Sequence, residues 1–122
     1  MLINWITIRV NDFEKTKEFY KNFLRMNVEN EFSPDEDTSI AFFSSDNETK
    51  IEILHNKNEK IDESHNSSVS IGMTAENYDE LLNEARERNI IVQEPVLLGG
   101  YLLCFFVQDP NGVKIQIIQN NR

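Results

Sequence analysis

The hydrophobic period of this chain changes several times between one end and the other. Ile6, Ile8 and Val10 alternate with Thr7 and Arg9, a two-residue period rich in β-branched side chains. This predicts a half-buried strand, with Ile6, Ile8 and Val10 on one face and Trp5, Thr7 and Arg9 on the other. Asn11-Asp12 then offers a helix N-cap, and Glu14 in the first turn complements the helix dipole. Phe13, Phe19, Tyr20, Phe23 and Leu24 follow at helical spacing and predict a helix to about Arg25. Asn27 to Asp37 is polar with a single proline. Ile40 to Phe43 and Lys50 to Leu54 read as strands, and Ser44 to Glu48 between them as a hairpin turn. Asn56 to Ser67 is charged and lacks Gly and Pro, which marks an exposed linker.

Beyond the linker the opening pattern returns. Val69 to Met73 alternates again, and Glu76 to Arg88 predicts a charged helix whose apolar stripe is Tyr78, Leu81, Leu82 and Ala85. A strand at Ile90 to Gln93, a break at Pro95 and a turn at Gly99-Gly100 are expected next. Leu102 to Val107 is a continuous apolar run, the signature of a strand buried on both faces. Asp109-Pro110-Asn111-Gly112 is a turn signal, and Lys114 to Ile118 reads as a closing strand.

The two halves therefore repeat. Lys50-Ile51-Glu52-Ile53 resembles Lys114-Ile115-Gln116-Ile117 at an offset of 64, and Ile6 to Val10 resembles Val69 to Met73 at an offset of 63. Each half reads as strand, helix, then about three strands. Either half alone would leave an apolar sheet face uncovered, so an α+β fold is expected. Its two tandem βαβββ modules form a curved mixed sheet around a cleft, with helices on the outer face. Module one spans 1–56, the linker 57–67 and module two 68–122.

Composition narrows the class without naming a chemistry. A chain of 122 residues is one domain or two small halves, and eight Phe among 39% hydrophobic residues exclude a disordered chain. The formal charge of −9 argues against nucleic-acid binding, which needs a basic face. The single Cys104 excludes an internal disulfide or a cysteine-based zinc site and reads as a buried small hydrophobe. No apolar run is long enough to span a membrane, and Met1-Leu2-Ile3-Asn4 lacks the basic start and apolar middle of a signal peptide. A cytoplasmic protein without membrane partners is the expectation.

Two longer motifs then point to a family. The opening Ile8-Arg9-Val10-Asn11-Asp12-Phe13-Glu14-Lys15-Thr16-Lys17-Glu18-Phe19-Tyr20 and the closing Asp109-Pro110-Asn111-Gly112-Val113-Lys114-Ile115-Gln116-Ile117-Ile118, with the repeated βαβββ pattern, resemble the vicinal oxygen chelate superfamily. It includes glyoxalase I, bleomycin-resistance proteins and extradiol dioxygenases. The resemblance implies that metal-dependent members take one ligand from the first and one from the last strand of each half. Those positions fall on Trp5, Glu52, Ser68 or its neighbour, and Gln116. Only Glu52 is a competent ligand for a divalent ion. His55 lies three residues beyond Glu52 and points to the opposite face, and His65 lies in the linker. No metal or other cofactor is therefore expected, and a divalent ion is disfavoured.

What the resembling cleft does instead stays open between three readings. The leading one is a metal-independent small-molecule-binding protein of the sequestering or resistance type, working as a homodimer. The second is a lyase or dioxygenase-like enzyme with a degenerate or non-standard metal site using Glu52; without a metal, Glu52 is a general base or a satisfied structural partner. The third is a structural domain without a ligand. The candidate ligand-binding residues are Trp5, Arg9, Glu52, Ser68, Tyr101 and Gln116. Trp5 stacks on a planar or cationic group or fills the metal's space. Arg9 binds an anion or pairs with Glu52. Gln116 bonds a ligand or Glu52, and the small Ser68 and Ser70 leave room for a pocket. Of Phe42-Phe43 and Phe105-Phe106, one member each should face the cleft. Tyr101 is placed at its mouth.

Overall fold

The computed structural model describes residues 1–44 and 49–120, and the chain divides into two compact units, Met1–Asp62 and Glu63–Arg122. The expected mixed sheet is built as two four-stranded sheets, one in each unit.

The first unit opens with β1 (Trp5–Arg9) and α1 (Phe13–Glu18). Asp12 caps the helix, its Oδ1 accepting the Lys15 N–H at 3.0 Å, and the buried Thr16 hydroxyl donates to the Asp12 carbonyl at 2.8 Å. The helix does not run regularly to Arg25. From Phe19 to Phe23 it widens into a π-type turn, in which the Leu24 N–H reaches the Phe19 carbonyl at 3.0 Å. Arg25 ends it in the left-handed region at φ 58°. The wide turn places Phe19, Tyr20 and Phe23 together against the sheet, where all three are buried.

Three more strands follow: β2 (Asn27–Phe32), β3 (Thr38–Ser44) and β4 (Lys50–Asn56). The order across the sheet is β1-β4-β3-β2, with β1 parallel to β4 and the other pairs antiparallel. The segment that reads only as polar in the sequence is thus an edge strand. The hairpin turn expected between β3 and β4 falls on 45–48, outside the described residues. Ile8, Val10, Ala41, Phe43, Ile51 and Ile53 form the buried floor beneath the helix. Burying each of the larger side chains is worth about 1.5–3 kcal/mol, so this face rather than helix propensity holds the unit together.

The second unit repeats the plan. A 3₁₀ turn at Asn66–Ser68 leads into β5 (Ser70–Ala75) and α2 (Tyr78–Arg88), then β6 (Ile91–Leu98), β7 (Leu102–Gln108) and β8 (Lys114–Gln119). The order is β5-β8-β7-β6, again with one parallel pair, β5 with β8. Asn89, in the left-handed region at φ 56°, closes the helix. Strand β6 runs through Pro95 instead of breaking there. It is an edge strand, and its register with β7 shifts between Gln93 and Val96, so the missing N–H costs no ladder bond. Strand β7 alternates instead of being buried on both faces throughout: Phe105 and Val107 are buried against the helix side, and Phe106 is half-buried on the other. The Asp109 carboxylate organises the final turn, its Oδ1 accepting the Asn111 and Val113 N–H groups at 2.8 and 2.9 Å, while Gly112 takes φ 92°.

Among the described residues no helix is long and apolar enough to cross a membrane.

Candidate functional site

Helices cover one face of each sheet, so the chemistry lies on the other. In the first unit the two-residue period of β1 puts Trp5, Thr7 and Arg9 on this open face. The register adds Lys50, Glu52, Leu54 and Asn56 from β4, and Thr38, Ile40 and Phe42 from β3. Thr7, Glu52 and Phe42 are direct cross-strand neighbours.

Glu52 is the central feature. It is 8% exposed, and its Oε1 accepts a short hydrogen bond from the Thr7 hydroxyl. A carboxylate this buried is costly unless its charge is met. The two cations on the same face are engaged elsewhere. Lys50 pairs with Glu29 at 2.5 Å, and Arg9 pairs with Glu59 at 3.1 Å rather than with Glu52. Lys50 and then Ser44 hold the Glu29 carboxyl below the usual glutamate range. Beside Glu52, the Trp5 and Phe42 rings meet edge to face with centroids 5.5 Å apart, and Trp5 remains 51% exposed.

Further along the face lies an open depression of about 570 Å³, with an apolar floor of Pro34, Ile40 and Leu54 and a polar rim of Arg9, Asp35, Thr38, Asn56, Asn58 and Glu59. Its rim is ordered by local bonds. Asp35 Oδ1 accepts the N–H groups of Asp37 and Thr38 at 2.8 and 2.9 Å, and the Asp37 N–H above all holds the Asp35 carboxyl below its ordinary value. Asn58 donates to Asp37 at 3.1 Å. Of the residues nominated from the sequence, only Arg9 reaches this depression. Asp35, Asn56 and Asn58 carry no signal beyond a polar loop composition, and Glu59 becomes visible only once the fold brings it fifty positions back to Arg9.

The open face of the second unit is plainer. Trp5 and Lys50 are register partners in the first sheet, as are Ser70 and Lys114 in the second. The position matching Trp5 is therefore Ser70, at an offset of 65 and not 63. Ser68 lies before the strand, exposed in the 3₁₀ turn, with its hydroxyl donating to the His65 carbonyl at 2.7 Å. By the same register Gly72 matches Thr7 and Gln116 matches Glu52. Gln116 donates to the Cys104 sulfur at 3.4 Å rather than to Glu52, and a Cβ on Gly72 would sit 3.5 Å from its Oε1. Cys104 is fully buried, as a small hydrophobe is. Tyr101 is 73% exposed in the turn after Gly99-Gly100. His55 Nδ1 lies 2.9 Å from the Val10 carbonyl, on the helix side of the first sheet as its parity requires, and His65 is exposed.

The donors at the four positions that the resemblance marks are thus an indole, a carboxylate, a hydroxyl and a carboxamide. That set does not fit a divalent ion, which wants at least three strong donors of the His, Cys, Asp or Glu type. Among the described residues no group of three such side chains is placed so that it could hold a metal ion.

Residues 2–117 match the model of the Glyoxalase/Bleomycin resistance protein/Dioxygenase superfamily. The chain is 28% identical over 118 residues to the lactoylglutathione lyase of Salmonella typhimurium, covering 92% of this chain and 87% of that one. Its fold is similar to that of a glyoxalase I mutant from Zea mays, with a TM-score of 0.83 at 22% identity. That match takes in 98% of this chain, which spans only 45% of the maize protein. It is also similar to TnmS3, an antibiotic binding protein from Streptomyces sp. CB03234, with a TM-score of 0.75 at 16% identity over 99% of this chain and 97% of that one.

Proposed function

The chain belongs to the Glyoxalase/Bleomycin resistance protein/Dioxygenase superfamily, and from that premise we propose that it is a glyoxalase-type enzyme acting on a small molecule. The sequence alone favours a sequestering protein. The relatives that carry lyase names at 26–29% identity over nearly the whole chain weigh toward the enzyme instead. Fold similarity to an antibiotic binding protein at 16% identity carries no functional weight against them.

The reading rests on one observation: Glu52 is a buried carboxylate on the open face of the first sheet, oriented by Thr7. In this reading Thr7 occupies Oε1 and leaves the lone pairs of Oε2 to accept a proton from carbon next to a substrate carbonyl and to return it at the neighbouring atom. Trp5 and Phe42 wall the reacting group and displace water from one side. Arg9, four residues along β1 from Trp5, stands at the depression and orients the distal end of the substrate. No step is assigned to a metal, because the donor set does not fit one.

The test is turnover of lactoylglutathione by chelator-treated protein, with Glu52→Gln beside it. Loss of the base should lower kcat by about 10²–10⁴. Absence of turnover in the wild type, or equal kcat in the variant, overturns the enzyme reading. A second reading, binding without catalysis, draws on the missing metal donors, and saturable ligand binding with no turnover would decide for it.

A further inference from the structure

Glu52 is buried, its only hydrogen-bond partner among the described residues is the neutral Thr7, and both cations on its face are committed to other carboxylates. The one fully enclosed side-chain polar atom without a partner among the described residues is the Tyr78 hydroxyl, so Glu52 Oε2 is not sealed off. A buried carboxylate that is open on one side and meets no cation among the described residues attracts a positive group. What borders it is aromatic. Trp5 lies one diagonal step from Glu52 across β1 and β4, half-exposed, and its ring is braced by Phe42 at 5.5 Å. An indole face beside a desolvated carboxylate is the pairing that holds ammonium and guanidinium groups, the ring through its quadrupole and the carboxylate through its charge.

We infer that the open face of the first sheet takes a small organic cation against Trp5 and Glu52, so that the substrate or ligand of this chain carries an ammonium-type or planar cationic group. Lys50, on the same face, pairs with Glu29 rather than with Glu52. The net charge of −9 adds long-range attraction for such a ligand. The inference narrows the substrate class of the enzyme proposed above. Its catalytic meaning rests on that reading, and its binding meaning does not.

Trp5 is the only tryptophan of the chain, so its fluorescence reports this position alone. Choline is titrated against 3,3-dimethylbutan-1-ol, which has the same shape without the charge. Choline should change the emission saturably and bind at least about tenfold more tightly than the alcohol. Glu52→Gln should lower the choline affinity by a similar factor, and Trp5→Leu, followed by calorimetry, should lower it by at least about threefold. The choline–alcohol pair is read on the unaltered protein and does not depend on either variant folding. Equal binding of the two probes, or a choline affinity indifferent to Glu52→Gln, overturns the inference. Turnover of lactoylglutathione measured on the same protein keeps the two proposals apart. Choline binding without turnover sinks the enzyme and leaves the cation site; turnover without choline binding does the reverse.

Discussion

The two units share one plan and differ in what they place on it. Each has a strand parallel to the last strand of its own sheet, a helix over the buried face, and Lys50 or Lys114 opposite the start of the first strand. The buried faces are chemically interchangeable: Ile8, Phe43, Ile51 and Ile53 in one, Phe105, Val107, Ile115 and Ile117 in the other. The open faces are not. Where the first unit carries Trp5, Thr7 and Glu52, the second carries Ser70, Gly72 and Gln116 at the same register positions. Burial of apolar surface constrains only volume and polarity, so both helix-side faces stay alike while the other face is released to differ.

The likeness of the buried faces can be broken by truncation. Phe43 and Phe105 are both completely buried, and each packs against a tyrosine of its own helix, with ring centroids 5.8 and 5.2 Å apart. Phe43→Ala and Phe105→Ala should each cost about 3–5 kcal/mol in denaturant unfolding, with amide exchange rising first in the unit that carries the change. If either substitution costs less than about 1 kcal/mol, the two cores are not equivalent supports.

The difference between the open faces predicts metal behaviour. With Glu52 the one strong donor among the positions Trp5, Glu52, Ser70 and Gln116, protein incubated with Zn²⁺ or Ni²⁺ and desalted should retain far less than one ion per chain by elemental analysis. Glu52→Gln should not change that value. One tightly held equivalent, lost in Glu52→Gln, would overturn this expectation.

Most of the plan is legible in the sequence, because burial writes a period into it. Ile6, Ile8 and Val10 set the faces of β1, and Asp12 caps the helix as expected. Strand β2 left no such mark: it is an edge strand exposed along most of its length, so Asn27 to Phe32 had no apolar period to keep. Pro95 is misleading for the same reason, since an edge strand tolerates it. The repeat offset of 63 instead of 65 keeps the parity of every side chain, so the faces come out right while Ser68 is mistaken for Ser70. The pairing of Arg9 with Glu59 depends on where a charged loop returns, which no local pattern encodes.

Acid should separate the units next. Two carboxyls held below their ordinary values of 4.5 and 3.8, Glu29 and Asp35, lie in the first unit. Lys50 and Ser44 lower the first; the Asp37 N–H and the Thr38 hydroxyl lower the second. A depressed carboxyl contributes stability that is fully present above its unfolded value and is lost as pH falls through the folded one. Amide protection in the first unit should therefore decline before that of the second as pH drops below about 4. Both groups are exposed, so the effect is modest, and Lys50→Met should remove the Glu29 share of it. Simultaneous loss of protection in both units would assign the acid response elsewhere.

The smallest contrast lies in the two helix tyrosines. Tyr20 is completely buried, and its hydroxyl is not among the enclosed atoms that lack a partner. The Tyr78 hydroxyl is enclosed without a partner among the described residues, and burial foremost pushes its pKa up. The same substitution should then act with opposite signs. Tyr20→Phe removes a hydroxyl whose environment meets it and should cost about 1 kcal/mol, whereas Tyr78→Phe removes an unmet polar group and should stabilise by about 1 kcal/mol. Both rings keep their aromatic contacts, Tyr20 with Phe43 and Tyr78 with Phe105, so packing is held constant across the pair. Thermal or urea unfolding of the two variants measures the difference directly. If Tyr78→Phe destabilises, a water or a neighbouring group must satisfy that hydroxyl in solution, and the second helix is as fully bonded to its sheet as the first.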